Sequence, residues 1–255
     1  MNALTPEQLR DFQDKGYCAV PRAFSADDVA ALDQEAQRLL VREDLIHSNN
    51  IRCRWADHVD TGECRFDSFD PVTDIAPECA RIARDCRIKE RLWQIYDNPA
   101  CLIKDKLIFK PPGAPGYPLH QDYIGWADFP RSFLTVMLAI DRCDAQSGAV
   151  EVFAGYHKQG SLAPEDGQFH RLPAGTVEAA RGEILTLEPG DIAIFDGFTP
   201  HRSGPNLSGA GRRLLYLSYN SAADDGDLRE THYQQFHAWL KERYAEHGKF
   251  RTYFR

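Results

Sequence analysis

The sequence predicts a mainly β domain with flanking helices, either a sandwich or a jelly roll, and three observations carry that expectation. Short continuous apolar runs recur from about residue 101 onward, Gly/Pro turns separate them, and helical periodicity is confined to the two ends of the chain. Apolar residues make up 43% of the 255 positions, enough for a sizeable core, and the length falls within the range of one all-β domain.

The helices come first. Thr5-Pro6-Glu7-Gln8 is a capping box with proline in the first turn, and it opens a short helix that ends at Gly16. Ser25 caps a second, whose Val29, Leu32, Ala36, Leu39 and Leu40 recur at helical spacing. A third helical region is expected from about Pro77 to Tyr96, with Ile82, Ile88, Leu92 and Ile95 as its stripe.

Strands are expected at Leu107 to Phe109, Phe133 to Ile140, Ala149 to Phe153, Ile184 to Leu187, Ile192 to Phe195 and Leu214 to Tyr219. A last helix runs from about Leu228 to His247, with an aromatic stripe of Tyr233, Phe236, Trp239 and Tyr244 to pack on the sheet. Two polar stretches, about 47–73 and 155–182, read as loops, and long loops in compact domains are often active-site lids. The division is one catalytic domain over 1–255: a mostly helical part to residue 100, a β core over 101–220 and a C-terminal helix within 225–255.

Formal net charge is −8, so no global positive field favours nucleic acid or an anionic membrane. Seven cysteines, an odd number without a C-x-x-C pair, suit a reducing compartment. Pro6, Glu7 and Arg10 stand where a signal peptide needs an apolar core, and no run approaches a membrane span. The expectation is a cytoplasmic protein acting on a small molecule.

The chemistry is carried by His120-Gln121-Asp122 and by His201, with Arg212 eleven positions later. Two imidazoles and one carboxylate on one face of a metal are the ligand set of non-heme Fe(II) oxygenases. A His-x-acid triplet is weak by itself, and His58-Val59-Asp60 is a second one. Context separates them. His120 follows an apolar run and a Pro/Gly loop that can deliver it to a strand start, where residues two apart face the same way; His58 lies among charged residues in what reads as a surface loop.

The distal half has turn chemistry in Glu188-Pro189-Gly190-Asp191, a strand in Ile192 to Asp196, and a loop from Thr199 to Asn206 that presents His201. Arg212 then opens the next strand, where its planar fork could grip a carboxylate. On a strand Arg213 must face the opposite way. His157 and His170 read as loop residues, and the spacing of His232, His237 and His247 does not align them on one helix face.

Four segments in order resemble the phytanoyl-CoA dioxygenase family of Fe(II)/2-oxoglutarate enzymes: Gly16 to Val29, Phe109-Lys110-Pro111-Pro112-Gly113 to Asp122, Ser147 to Lys158, and His201 to Arg212. The resemblance spans about residues 5–220. It implies a double-stranded β-helix (jelly roll, cupin-like), with His120, Asp122 and His201 as iron ligands and 2-oxoglutarate on Arg212. Further cosubstrate contacts fall on Thr135 and Lys106, within a Lys104-Asp105-Lys106 segment where relatives often carry neutral polar residues. Related halogenases have a small residue where Asp122 stands, so the resemblance disfavours halogenation; hydroxylation with O2, giving succinate and CO2, is the main expectation, and desaturation or cyclisation remain.

A polar metabolite or natural-product intermediate is the expected substrate, from a polar-handled aromatic wall of Tyr117, Tyr123, Trp126 and Phe129 with Arg131. Two other readings remain: a jelly-roll metalloenzyme that does not use 2-oxoglutarate, which Arg212 argues against, and a silent ligand-binding scaffold, which the complete triad argues against.

Overall fold

The computed structural model describes residues 3–126 and 129–248. Helix α1 (Pro6–Lys15) has the expected capping box, Thr5 and Gln8 each satisfying the other's backbone, and it stops at Gly16 in the left-handed region. Strand β1 (Tyr17–Val20) follows, then α2 (Ala26–Leu40) with its own box from Ser25 and Asp28. The third helical region is two helices, α3 (Pro77–Ala83) and α4 (Cys86–Tyr96). The chain breaks between them because the Asp85 side chain accepts from the Arg87 amide and starts a new N-terminus.

The remaining strands are β2 (Cys53–Asp57), β3 (Cys64–Phe69), β4 (Ala100–Ile108), β5 (Leu134–Ala139), β6 (Val150–Phe153), β7 (Gly182–Ile184), β8 (Ile192–Asp196), β9 (His201–Ser203) and β10 (Leu214–Ser221), before α5 (Arg229–His247). The part of the C-terminal segment beyond residue 248 lies outside the described residues. A seven-stranded sheet in the order β1-β8-β5-β10-β4-β3-β2 faces a three-stranded sheet β7-β6-β9, and neighbouring strands in both run antiparallel. Two facing antiparallel sheets are the jelly-roll arrangement.

Strand alternation sorts side chains into two cores. Leu134, Val136 and Leu138 of β5, with Ile192, Ile194, Leu215 and Leu217, point outward against Leu32, Leu39, Ile82, Ile88 and Leu92 of the helices. Met137, Ala139, Ala193, Phe195, Leu214 and Tyr216 point inward against Val150, Val152 and Leu185 of the small sheet. Both faces of β5 are buried, which is why its sequence reads as a continuous apolar run.

Two sequence expectations are corrected. The stretch 47–73 contains β2 and β3, which extend the large sheet to an edge whose charged residues protect it from further pairing. The run expected as a strand at 184–187 pairs only to Ile184; Leu187 instead forms an isolated bridge with Cys143. The 155–182 segment is a loop, as expected, with three short 3-10 turns, and it is packed: Tyr156, Phe169, Leu172 and Val177 are buried, and the Leu172 amide donates to the Leu119 carbonyl at 2.8 Å.

Helix α5 covers the mouth of the large sheet. Its Tyr233, Phe236, Trp239 and Leu240 pack with Ile103, Phe129, Phe133 and Phe169. Buried Asp105 ties this helix to the sheet, accepting from the Val72 and Thr73 amides, each at 2.7 Å, and pairing with Arg229. No helix among the described residues is long and apolar enough to cross a membrane.

Candidate metal centre and cosubstrate pocket

His120 and His201 face each other across an isolated antiparallel bridge, exchanging backbone hydrogen bonds of 3.0 and 2.9 Å. Direct opposition brings side chains close, and the two ring centroids are 4.3 Å apart. His201 therefore opens strand β9 rather than lying in a loop. Asp122, two residues after His120, turns back to the same side: its Oδ1 lies 3.9 Å from His120 Nε2 and 3.8 Å from His201 Nε2.

The orientation of each ligand atom is fixed by what the other end of its side chain does. His120 Nδ1 sits 2.7 Å from the Pro118 carbonyl and His201 Nδ1 3.0 Å from the Thr199 carbonyl, so both Nδ1 atoms carry a proton and both Nε2 atoms face Asp122 Oδ1. Thr135 Oγ1 donates to the other oxygen, Asp122 Oδ2, at 3.0 Å, and is itself within 2.9 Å of Ser218 Oγ. Thr135, expected to contact the cosubstrate, thus has its hydroxyl engaged in holding Asp122.

Burial, followed by the adjacent His201, pushes the His120 imidazole below its ordinary range, so it is neutral. Burial alone would raise Asp122, but His201, Lys106, His120 and Lys104 outweigh it and keep the carboxyl ionised. Neutral imidazole and carboxylate are the protonation states a metal needs. Among the described residues, these three are the group of His, Cys, Asp or Glu side chains whose ligand atoms lie within 4.8 Å of one another. His58 is engaged elsewhere. Its Nδ1 lies 3.1 Å from the Asp60 amide, closing the β2–β3 turn, and its ring lies against Gly113.

A small cavity of about 30 Å³ adjoins the two histidines, lined by Lys106, Ile108, Tyr117, Val150, Arg202, Ser203 and Tyr216. Arg212 is 2% exposed. Its Nη2 donates to the Gly148 carbonyl at 2.7 Å, while Nε and Nη1 have no hydrogen-bond partner among the described residues. A buried guanidinium with unspent donors is costly unless an anion completes it, so the fork fits a carboxylate ligand. Burial raises the Tyr216 phenol to about 12 against the opposing effect of Arg212, leaving a neutral hydroxyl in the same cavity.

Gly148 makes this arrangement possible. It holds φ +71°, and a Cβ there would collide with Lys110 Nζ and the Gly204 carbonyl. Its carbonyl accepts from both Lys110, at 2.9 Å, and Arg212. Arg213 faces away as strand alternation requires, clasping Asp141 with two 2.7 Å bonds and pairing with Asp33.

Of the aromatic wall, Tyr117 lines the cavity and donates to Asp67 at 2.8 Å. Trp126 donates to the Gly167 carbonyl at 2.6 Å and packs among Phe129, Phe169 and Phe236. Arg131 is exposed, stacked over Tyr123 and Phe198 and 3.8 Å from Glu165, outside the cavity lining.

Two features were not singled out from sequence. Gln121, the middle of the triplet, points away from the histidines and clamps the covering segment, donating to the Phe198 and Gly160 carbonyls and accepting from the Leu162 amide at 2.7 Å. Ser203 lines the cavity two residues after His201, and strand alternation on β9 was the signal that could have found it.

The sequence model of the phytanoyl-CoA dioxygenase family matches residues 12–214. A methylphosphonate hydroxylase from Gimesia maris is 37% identical over 148 residues, spanning 58% of this chain and 55% of that protein. A 2-aminoethylphosphonate dioxygenase from the uncultured bacterium HF130_AEPn_1 is 29% identical over 250 residues, covering 92% of this chain and 88% of that one. Among solved structures, EctD from S. alaskensis with 2-oxoglutarate and 5-hydroxyectoine superposes with a TM-score of 0.67 at 21% identity, covering 87% of this chain and 77% of that one; at this identity the likeness is one of fold.

Proposed function

This chain belongs to the phytanoyl-CoA dioxygenase family of Fe(II)/2-oxoglutarate-dependent dioxygenases, and from that premise we propose that it hydroxylates a small phosphonate at the centre formed by His120, Asp122 and His201. The observation that carries the substrate class is the charge of the pocket. In a chain of net charge −8, Lys106 lines the cavity beside the histidines and Arg212 lies buried next to it, whereas Arg202 faces away on β9 and is paired with Glu151. Such a pocket suits two anions, the cosubstrate and an anionic substrate. By their names, the two relatives above act on methylphosphonate and 2-aminoethylphosphonate.

Bound iron, with 2-oxoglutarate and O2, supplies the oxidation: one oxygen atom enters the C–H bond of the substrate, the other enters succinate, and CO2 leaves. The residues do the rest. His120 and His201 present Nε2 because the Pro118 and Thr199 carbonyls hold their Nδ1 protons. Thr135 keeps Asp122 Oδ1 directed at both imidazoles. Arg212 offers its free Nε and Nη1 to the distal carboxylate of 2-oxoglutarate, with the Tyr216 hydroxyl alongside. The 155–182 segment, tethered through Gln121, excludes water.

Succinate release tests this reading. With Fe(II), 2-oxoglutarate and O2, methylphosphonate or 2-aminoethylphosphonate should raise succinate formation well above the substrate-free rate, and ectoine should not. Stimulation by ectoine and by neither phosphonate would refute the substrate class.

A further inference from the structure

Beyond the metal and cosubstrate, two cations on the inner face of the large sheet, Lys104 and Lys106, have no hydrogen-bond acceptor among the described residues, and the geometry points to Lys104 as the residue that receives the phosphonate group of the substrate. This rests on the phosphonate reading above and deepens it to a residue.

Register places Lys104. Residues two apart on β4 share a face, so Lys104 looks inward as Lys106 does, and Lys106 lines the cavity. On β10, Ser218 pairs with Lys104 on one side and with Thr135 on the other, while its Oγ reaches the Thr135 hydroxyl that holds Asp122. Lys104 and the metal triad are therefore at one level of the sheet. Two strand spacings, about 10 Å between backbones, separate β4 from β5. Side chains from both strands reach inward across that distance, and the charge of Lys104 is felt at Asp122.

The ammonium is underused where it sits. Its side chain is 13% exposed, its nearest carboxylate oxygen, on Asp70, lies 3.8 Å away, and it forms no hydrogen bond with the described residues. Below it lie the faces of Phe236, at 4.8 Å, and Phe169. Asp70 has other partners, the Tyr233 hydroxyl at 3.2 Å and Arg54 at 3.9 Å. Close by, His232 is 3% exposed, neither of its ring nitrogens is hydrogen-bonded among the described residues, and it feels the charge of Lys104. Three ammonium donors without an acceptor, on an aromatic floor, are a site for an oxyanion with several acceptor oxygens.

The layout also fits the reaction. Arg212 lies six residues before Ser218, about 20 Å along the strand, so the cosubstrate carboxylate and the phosphonate are held by different cations at opposite ends of the pocket. In methylphosphonate the only carbon is bonded directly to phosphorus. Gripping the phosphorus oxygens at the level of the triad places that carbon at the metal.

Calorimetry on protein loaded anaerobically with Fe(II) and 2-oxoglutarate decides the matter, using 2-aminoethylphosphonate and methylphosphonate as probes. Lys104→Met should weaken phosphonate binding at least tenfold while the 2-oxoglutarate affinity stays within twofold of wild type. Lys104→Arg keeps the charge near Asp70 and so protects the fold; by moving the donors it should shift phosphonate affinity several-fold and again leave 2-oxoglutarate alone. Wild-type binding matched within twofold by both variants would reduce Lys104 to a counter-ion of Asp70. Absence of phosphonate binding by wild type would overturn the substrate class itself, and this assignment with it.

Discussion

His120→Ala, Asp122→Ala and His201→Ala are each expected to lower turnover more than a hundredfold while leaving the unfolding transition close to that of wild type. Losing one ligand of three removes both binding energy and the facial geometry, and loss of an outer-shell partner alone costs roughly 10–100-fold. The fold should survive because the triad lies where the two sheets meet in loops and a short strand, while the cores are built elsewhere. His58→Ala removes a turn contact and should leave turnover within twofold. Equal losses at His58 and His120 would show that the wrong triplet had been read.

The second large effect is expected at Arg212. Anaerobic Fe(II) with 2-oxoglutarate should give the visible band of a chelated 2-oxoacid, and Arg212→Ala should raise the 2-oxoglutarate concentration needed to reach it by tenfold or more. Truncating one partner of a buried charged pair costs about 2–5 kcal/mol, and each 1.4 kcal/mol is tenfold in affinity. Arg213→Ala should instead show as thermal destabilisation, because that guanidinium is spent on Asp141 and Asp33. The same loss of cosubstrate affinity at both positions would contradict the register.

The triad and Arg212 were legible in the sequence because their signal is local. Ligand residue types occur two apart, and strand alternation alone separates Arg212 from Arg213. The core strands were legible for a related reason: β5, β8 and β10 are buried on both faces and so read as unbroken apolar runs. Strands β2 and β3 were hidden because an edge hairpin tolerates charge, and Arg54, Arg65 and Asp67 gave it the look of a solvated loop.

What sequence could not supply is register across distant segments. That Thr135 holds Asp122 depends on the β5–β10 pairing through Ser218, and that Lys104 stands level with the triad depends on β4 pairing with β10 more than a hundred residues later. The Gln121 clamp on residues 160–162 is likewise a tertiary contact without local pattern.

The 31P spectrum of an incubation with Fe(II), 2-oxoglutarate, O2 and 2-aminoethylphosphonate tests the central claim most directly. The expected result is a new resonance from a hydroxylated phosphonate that requires all three of iron, 2-oxoglutarate and O2, is matched mole for mole by succinate, and carries the isotope shift of one oxygen atom when 18O2 is used. Succinate released at an unchanged rate with the phosphonate signal intact would contradict it.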